Sequence, residues 1–229
     1  NELYVVNGGS HKVQIFDTAT GNYKRSFGSM GFGDTGLFNP KGIAIALDGT
    51  IYVADQFNNQ IKVFNAQGEL IRAVSEANDE ESSQQTGFVL ASAGATADEW
   101  PDYSGYAGYG DILVPVDLDA DNSGFSTKGK ISMPYDVKLD LFGNIYVVNT
   151  MSGKIQKFDR DFNLIIEFGG TGYEPGKMLL PTRLAVDYFG NIYVCDYGMH
   201  RIQKFNSYGD LVKVFGEFGR EDGQLIYPN

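Results

Sequence analysis

A short apolar strand with tyrosine at its second position recurs four times along this chain: Leu3-Tyr4-Val5-Val6-Asn7, Ile51-Tyr52-Val53-Ala54-Asp55, Ile145-Tyr146-Val147-Val148-Asn149 and Ile192-Tyr193-Val194-Cys195-Asp196. The tyrosines stand 48, 94 and 47 residues apart, and 94 is twice 47. A fixed period of this length in strand-forming residues is the mark of stacked, quasi-identical units.

A second series keeps the same register. Pro40, Pro134, Pro181 and Pro228 are separated by 94, 47 and 47 residues, and Phe16, Phe64, Phe158 and Phe205 follow the same spacing within one residue. Four strands are read between successive prolines. The first is rich in small residues (Gly42–Ala46, Val137–Asp140, Leu184–Asp187) and suits a crowded axis. A turn at Gly49, Gly143 or Gly190 supplies a residue at ease with positive φ, and the Ile-Tyr-Val strand follows, apolar in succession as when both sheet faces are covered. The third strand ends at the recurrent phenylalanine. Loops containing Gly68, Asn163 or Gly209 are expected to place those residues in the left-handed region of a bulged hairpin. The fourth strand, such as Leu164–Phe168 or Tyr23–Phe27, mixes apolar and charged residues, as an outer strand touching water should. Four antiparallel strands with polarity rising outward describe an all-β chain of β-propeller blades.

These residues resemble the NHL-repeat β-propellers, whose pattern runs Pro-x-Gly-Ile-Ala-Val, Gly-Asn-Ile-Tyr-Val-Ala-Asp, Asn-His/Arg-Ile-Gln-Val-Phe and Phe-Gly. Segments 1–74 and 131–229 carry the pattern, with the first blade lacking its inner strand, and 75–130 departs from it. By arithmetic that stretch spans one repeat, yet Gly87 stands at the proline position and Glu99 at the tyrosine. It is read as a long insertion, with a degenerate fifth blade as the alternative. Gly87–Ala91 and Asp111–Val116 are its two strand-like stretches. The chain enters at a second strand and stops where the next innermost strand should begin, so the ring is expected to be incomplete within it. Either it is a fragment or another segment completes the ring.

Net charge is −11, which repels phosphate backbones and argues against nucleic acid as a partner. No apolar run reaches the roughly 18 residues of a membrane helix, so no membrane insertion is expected. One cysteine, Cys195, excludes an internal disulfide, a haem-attachment pair or a thiolate zinc cage, and no phosphate-binding loop for a nucleotide is present. The acidity is concentrated: residues 75–130 hold eleven acids and two lysines, a local net of −9.

Within that segment Asp117, Asp119, Asp121 and Ser123 alternate in a way that wraps oxygen ligands around a hard cation, for which calcium is the natural candidate and a solvated acidic turn the alternative. Trp100, Tyr103, Tyr106 and Tyr109 lie among glycines and suit contact with a protein partner or carbohydrate, or equally packing back on the blades. His11 and His200 share one repeat position and read as structural. The resemblance brings in peptide-amidating lyases, which hold a central zinc with several histidines, and two histidines cannot supply such a site. It also brings in lactonase-like propellers with channel calcium, which puts Asp55, Asn149 and Asp196 forward as an alternative channel site, although their recurrence favours strand-end capping. Two residues after each proline stand Gly42, Asp136 and Arg183; varying charge at a repeated position suits a ligand-facing rim, or a pair between neighbouring blades.

The expectation is a non-enzymatic binding or scaffolding module with a protein partner. Acidity, the calcium loop and an N-terminus other than methionine point to an extracellular or periplasmic setting. The alternative is a calcium-dependent hydrolase or lyase at the channel mouth. Fold is far better determined than function by such a pattern.

Overall fold

The computed structural model describes residues 1–78 and 128–229, and within them every element beyond single turns is a strand. The first sheet holds β1 (Glu2–Asn7), β2 (Lys12–Asp17) and β3 (Tyr23–Phe27). The second holds β4 (Pro40–Ile45), β5 (Ile51–Asp55), β6 (Gln60–Phe64) and β7 (Leu70–Val74). β8 (Pro134–Leu139), β9 (Ile145–Asn149), β10 (Lys154–Phe158) and β11 (Leu164–Gly169) form the third. β12 (Pro181–Val186), β13 (Ile192–Asp196), β14 (Arg201–Phe205) and β15 (Leu211–Phe215) form the fourth. Each sheet is an antiparallel meander in chain order.

The sheets stack face to face as blades. Val13, Ile15 and Phe27 of the first close on Ile51, Val53 and Phe64 of the second. Tyr52, Ala54 and Ile61 on the opposite face of the second meet Ile145, Val147 and Phe158 of the third. Tyr146, Val148 and Ile155 of the third then meet Ile192, Val194 and Phe205 of the fourth. Because side chains alternate across a strand, a blade between two neighbours buries every residue of its second strand. β5 and β9 are buried throughout, whereas β13 is buried only at alternate residues. Cys195 is accordingly half-exposed: it lies on the side of β13 away from the third blade, so the packing expected from its counterparts Ala54 and Val148 is met on fewer sides.

The innermost strands begin at the prolines themselves, earlier than the small-residue runs suggested, because a register shift between Pro40 and Ile43, Pro134 and Asp136, and Pro181 and Arg183 lets pairing start there. The shift is a bulge, which turns one side chain out of alternation.

One turn departs from expectation. In the hairpins from third to fourth strand, Gly21, Gly68 and Gly209 take positive φ, and in the third blade the residue that does so is Phe162 (φ 68°), not Asn163. Asn163 instead donates to Asp159 from both its backbone and its side-chain amide. Phe162 holds the left-handed conformation because its ring is buried against Tyr52 and Phe158, with the Arg72 guanidinium over it. Burial of a ring outweighs a backbone cost of order 1–3 kcal/mol.

β4, β8 and β12 lie side by side as the innermost layer, and β4 and β8 are immediate neighbours although 79–127 separate them in sequence. The ends of that separation are fixed. Ala77 donates to the Gly129 carbonyl (2.9 Å), Ile131 donates to the Ser75 carbonyl (2.8 Å), and the backbones of Glu76 and Lys130 pair as an isolated antiparallel β-bridge. The stem lies against the third blade, where Asn78 donates to the Phe162 carbonyl and Gly129 to Glu167 Oε2.

Candidate functional site

All three strand-end residues proposed for a channel site are fully buried. Asp55 Oδ1 accepts from the Phe38 amide (2.6 Å), Asn149 Oδ1 from Ser132 (3.0 Å) and Asp196 Oδ1 from Leu179 (2.7 Å). Each thereby ties the end of a second strand to the segment arriving from the previous blade. The remaining atom of each group is also engaged, and the partner changes with charge. Asp55 Oδ2 accepts from Asn58 and pairs with Lys62 Nζ at 3.0 Å; Asp196 Oδ2 accepts from Arg201 Nε (2.8 Å) and Gln203. Where the strand ends in an amide, a neutral Gln suffices: Asn149 donates to Gln156 Oε1, and Asn7 to Gln14 Oε1. A buried carboxylate needs a cation and an amide does not: Asp55 and Asp196 each meet a lysine or arginine, whereas in the third blade Lys154, at the position of Arg201, turns to Glu167 instead. Burial raises the Asp196 carboxyl above its ordinary range, against the pull of the Leu179 amide and Arg201.

Lys62 was not singled out in the sequence, although it occupies the position of Gln14, Gln156 and Gln203. It is buried, and beyond Asp55 it donates to the carbonyls of Gly33 (2.5 Å) and Gly36. The legible signal was a charge in the middle of a strand whose counterparts are neutral.

The histidines perform the same kind of work. His11 and His200 take left-handed conformations, and their Nδ1 atoms accept from Asn39 and Tyr227, each at 3.0 Å. In the second blade Asn59 does this for Met133 at 2.8 Å. These are the residues just before the recurrent prolines, which themselves carry positive φ. Burial lowers the His200 pKa, in keeping with a neutral ring that accepts at Nδ1.

At the innermost layer the residues two past the prolines interlock. Asp136 is fully buried, and a Cβ on Gly42 would lie 2.5 Å from its Oδ1 and 2.7 Å from its Cα. On its other side Asp136 Oδ2 accepts from the Leu184 amide (3.3 Å), and Arg183 Nη1 stands 3.7 Å from Oδ1. The three residues differ because a glycine makes room for an aspartate and the aspartate attracts an arginine. Lys138 Nζ also pairs with Asp136 Oδ1 at 2.6 Å. Lys41 and Arg183 both lie over the ring of Tyr135, at 5.5 and 5.1 Å from its centroid. Sequence reading passed over Lys41, Tyr135 and Lys138, although a lysine among the small residues of an innermost strand is itself a signal.

Trp100, Tyr103, Tyr106, Tyr109, Asp117, Asp119, Asp121 and Ser123 lie outside the described residues, as do the strand-like stretches 87–91 and 111–116. Among the described residues no three His, Cys, Asp or Glu side chains converge as metal ligands, and no helix is long and apolar enough to cross a membrane.

The family model described as NHL repeat matches residues 179–205. Its span runs from Leu179, through β12 and β13, to Phe205 at the end of β14. No curated protein matches the chain in sequence. Among solved structures, it is similar to virginiamycin B lyase from Staphylococcus aureus (12% identity, TM-score 0.55, covering 93% of this chain and 51% of the lyase). It is also similar to the hydrazine synthase of Kuenenia stuttgartiensis (13%, 0.55, 93% and 45%). A structural genomics protein of unknown function from Bacteroides thetaiotaomicron matches at 15% identity and a TM-score of 0.59, covering 99% of this chain and 50% of that one. The chain therefore spans about half the length of these structures. At such identities the likeness is one of fold, a β-propeller with an NHL repeat.

Proposed function

We propose that this propeller is a non-catalytic binding or scaffolding module, and that residues 75–130 are an insertion presented to a protein partner from a rigid stem. The observation that carries this reading is the direct packing of the second blade on the third, with the strands flanking 79–127 pinned to each other at Ser75–Ala77 and Gly129–Ile131. The other junctions between blades are short: Gly28–Asn39 and Gly170–Leu180 link consecutive sheets. Long excursions from a compact fold are more often functional than architectural. The carboxylates that a channel enzyme would use are already spent as caps and ion pairs. That supports the binding module over the calcium-dependent hydrolase or lyase.

On this reading the aromatic residues Trp100, Tyr103, Tyr106 and Tyr109 supply contact area. The run Asp117, Asp119, Asp121 and Ser123 binds calcium, which suits an extracellular or periplasmic setting where that ion is plentiful. The test replaces 79–127 with a six-residue Gly-Ser linker. Far-UV circular dichroism should keep the strand signal, and the linker variant should lose the affinity capture of the native partner that the full chain shows. Calcium titration by calorimetry, with and without D117N, D119N and D121N together, tests the cation. Retained capture by the linker variant would refute the insertion's role.

A further inference from the structure

We propose that the innermost layer holds a binding site for a small dianion, a dicarboxylate or inorganic phosphate, formed by Lys41, Lys138 and Arg183 around Tyr135 and Asp136. This goes beyond the binding-module reading and does not use residues 79–127.

The argument is one of charge balance. Elsewhere among the described residues the buried charges have their counterparts: Lys62 with Asp55, Arg201 with Asp196 and Lys154 with Glu167. In the innermost layer three cations share one carboxylate. Asp136 takes Lys138 at 2.6 Å and Arg183 at 3.7 Å, and its remaining capacity goes to the Val137 and Leu184 amides. Lys41 has no hydrogen bond or ion pair among the described residues, only the face of Tyr135. Two positive charges are thus left over in a chain whose net charge is −11. Like charges held near one another and partly shielded from bulk water cost free energy that an incoming anion removes. The Lys41 pKa is lowered, first by burial and then by Arg183, so the two cations sense each other.

The site is open to a ligand. Arg183 and Lys138 side chains each retain 38% of their exposure, while Asp136 has none. Asp136 therefore serves as the buried anchor of two cations that reach solvent. Tyr135 holds the third, with Lys41 and Arg183 on one ring. Guanidinium and ammonium groups together suit oxyanions, the former by two parallel hydrogen bonds and the latter as a point charge.

The experiment is calorimetric titration of the whole chain at low ionic strength with succinate, inorganic phosphate and acetate. A saturable 1:1 isotherm with either dianion, at least about tenfold tighter than acetate, is expected, and the stronger of the two names the ligand class. K41M and R183M should each weaken it by about fivefold or more, whereas K213M on the outer strand β15 should not. Far-UV spectra and melting curves of K41M establish that it is folded, since its side chain makes no hydrogen bond to lose. Affinity should also fall with rising pH at values below those at which an ordinary lysine titrates. No saturation by about 10 mM of either dianion, or equal losses in K41M and K213M, would overturn the proposal. Binding that persists when 79–127 are replaced by the linker separates this site from the insertion.

Discussion

Replacing Lys62 with methionine keeps its volume and removes its charge, which leaves the Asp55 carboxylate buried with no cation. The Asn58 amide and the Phe38 amide remain, but neither neutralises a full negative charge, and the carbonyls of Gly33 and Gly36 lose their donor. Breaking one partner of a buried pair costs about 3–5 kcal/mol. For a chain of 150–250 residues each 1 kcal/mol lowers Tm by about 2–4 °C, so K62M should melt about 6–20 °C below the parent. The third blade shows the neutral solution: Asn149 and Gln156 meet at 2.7 Å where Asp55 and Lys62 stand in the second. D55N/K62Q should therefore recover to within about 1 kcal/mol of the parent, so that the losses of D55N and K62Q in a double-mutant cycle fall far short of adding. Urea unfolding followed by tyrosine fluorescence and far-UV ellipticity reads all four proteins. If the double variant were no more stable than the worse single one, charge matching at the strand ends would be the wrong account of this position.

Three further outcomes follow from the same geometry. His200 carries a pKa lowered below 6.5, so protons bind the unfolded chain more readily; its contribution is intact above pH 6.5 and is lost as pH falls through the folded value. H200N, which copies Asn59, should flatten unfolding free energy measured from about pH 7.5 to about pH 5. Gly42→Val drives a side chain into the Asp136 backbone and should cost about 1–3 kcal/mol in urea unfolding, with the second and third blades losing amide-exchange protection together. Phe162→Gly relieves the left-handed strain yet empties the groove between Tyr52 and Phe158, and thermal melts should show a net loss of about 2–4 kcal/mol.

The blades were legible because their information is local and repeated. Tyr52, Tyr146 and Tyr193 mark second strands and Phe64, Phe158 and Phe205 mark third strands, and the ladders pair them in the register that the period implies. What a single repeat does not encode is which blade presses on which face. Phe162 illustrates the loss: its own hairpin asks for glycine, and only the neighbouring Tyr52 explains a ring there. The innermost site was half-legible for a related reason. Asp136 and Arg183 stood out as unlike charges at one repeat position, but Lys138 sits two residues after it and Lys41 one before, inside the bulged stretch between Pro40 and Ile43. Bulges break the alternation on which any inference of strand faces relies.

The separation between scaffold and site can be followed through charge. At the strand ends the repeat converts between Asp with a cation and Asn with Gln, and both versions close the same junction: Phe38 onto Asp55, Ser132 onto Asn149, Leu179 onto Asp196. Interchangeability of that kind is what a structural role permits, because the requirement is only that a buried polar group be satisfied. The innermost layer behaves otherwise. Gly42, Asp136 and Arg183 are not versions of one solution; each presupposes its neighbour, and the set leaves positive charge uncompensated around Tyr135. A scaffold under no other constraint relieves such an excess with one more carboxylate, as it does for Lys62 and Arg201. Unbalanced charge at the hub of an acidic protein is therefore the feature that architecture leaves unexplained, and a dianion accounts for it.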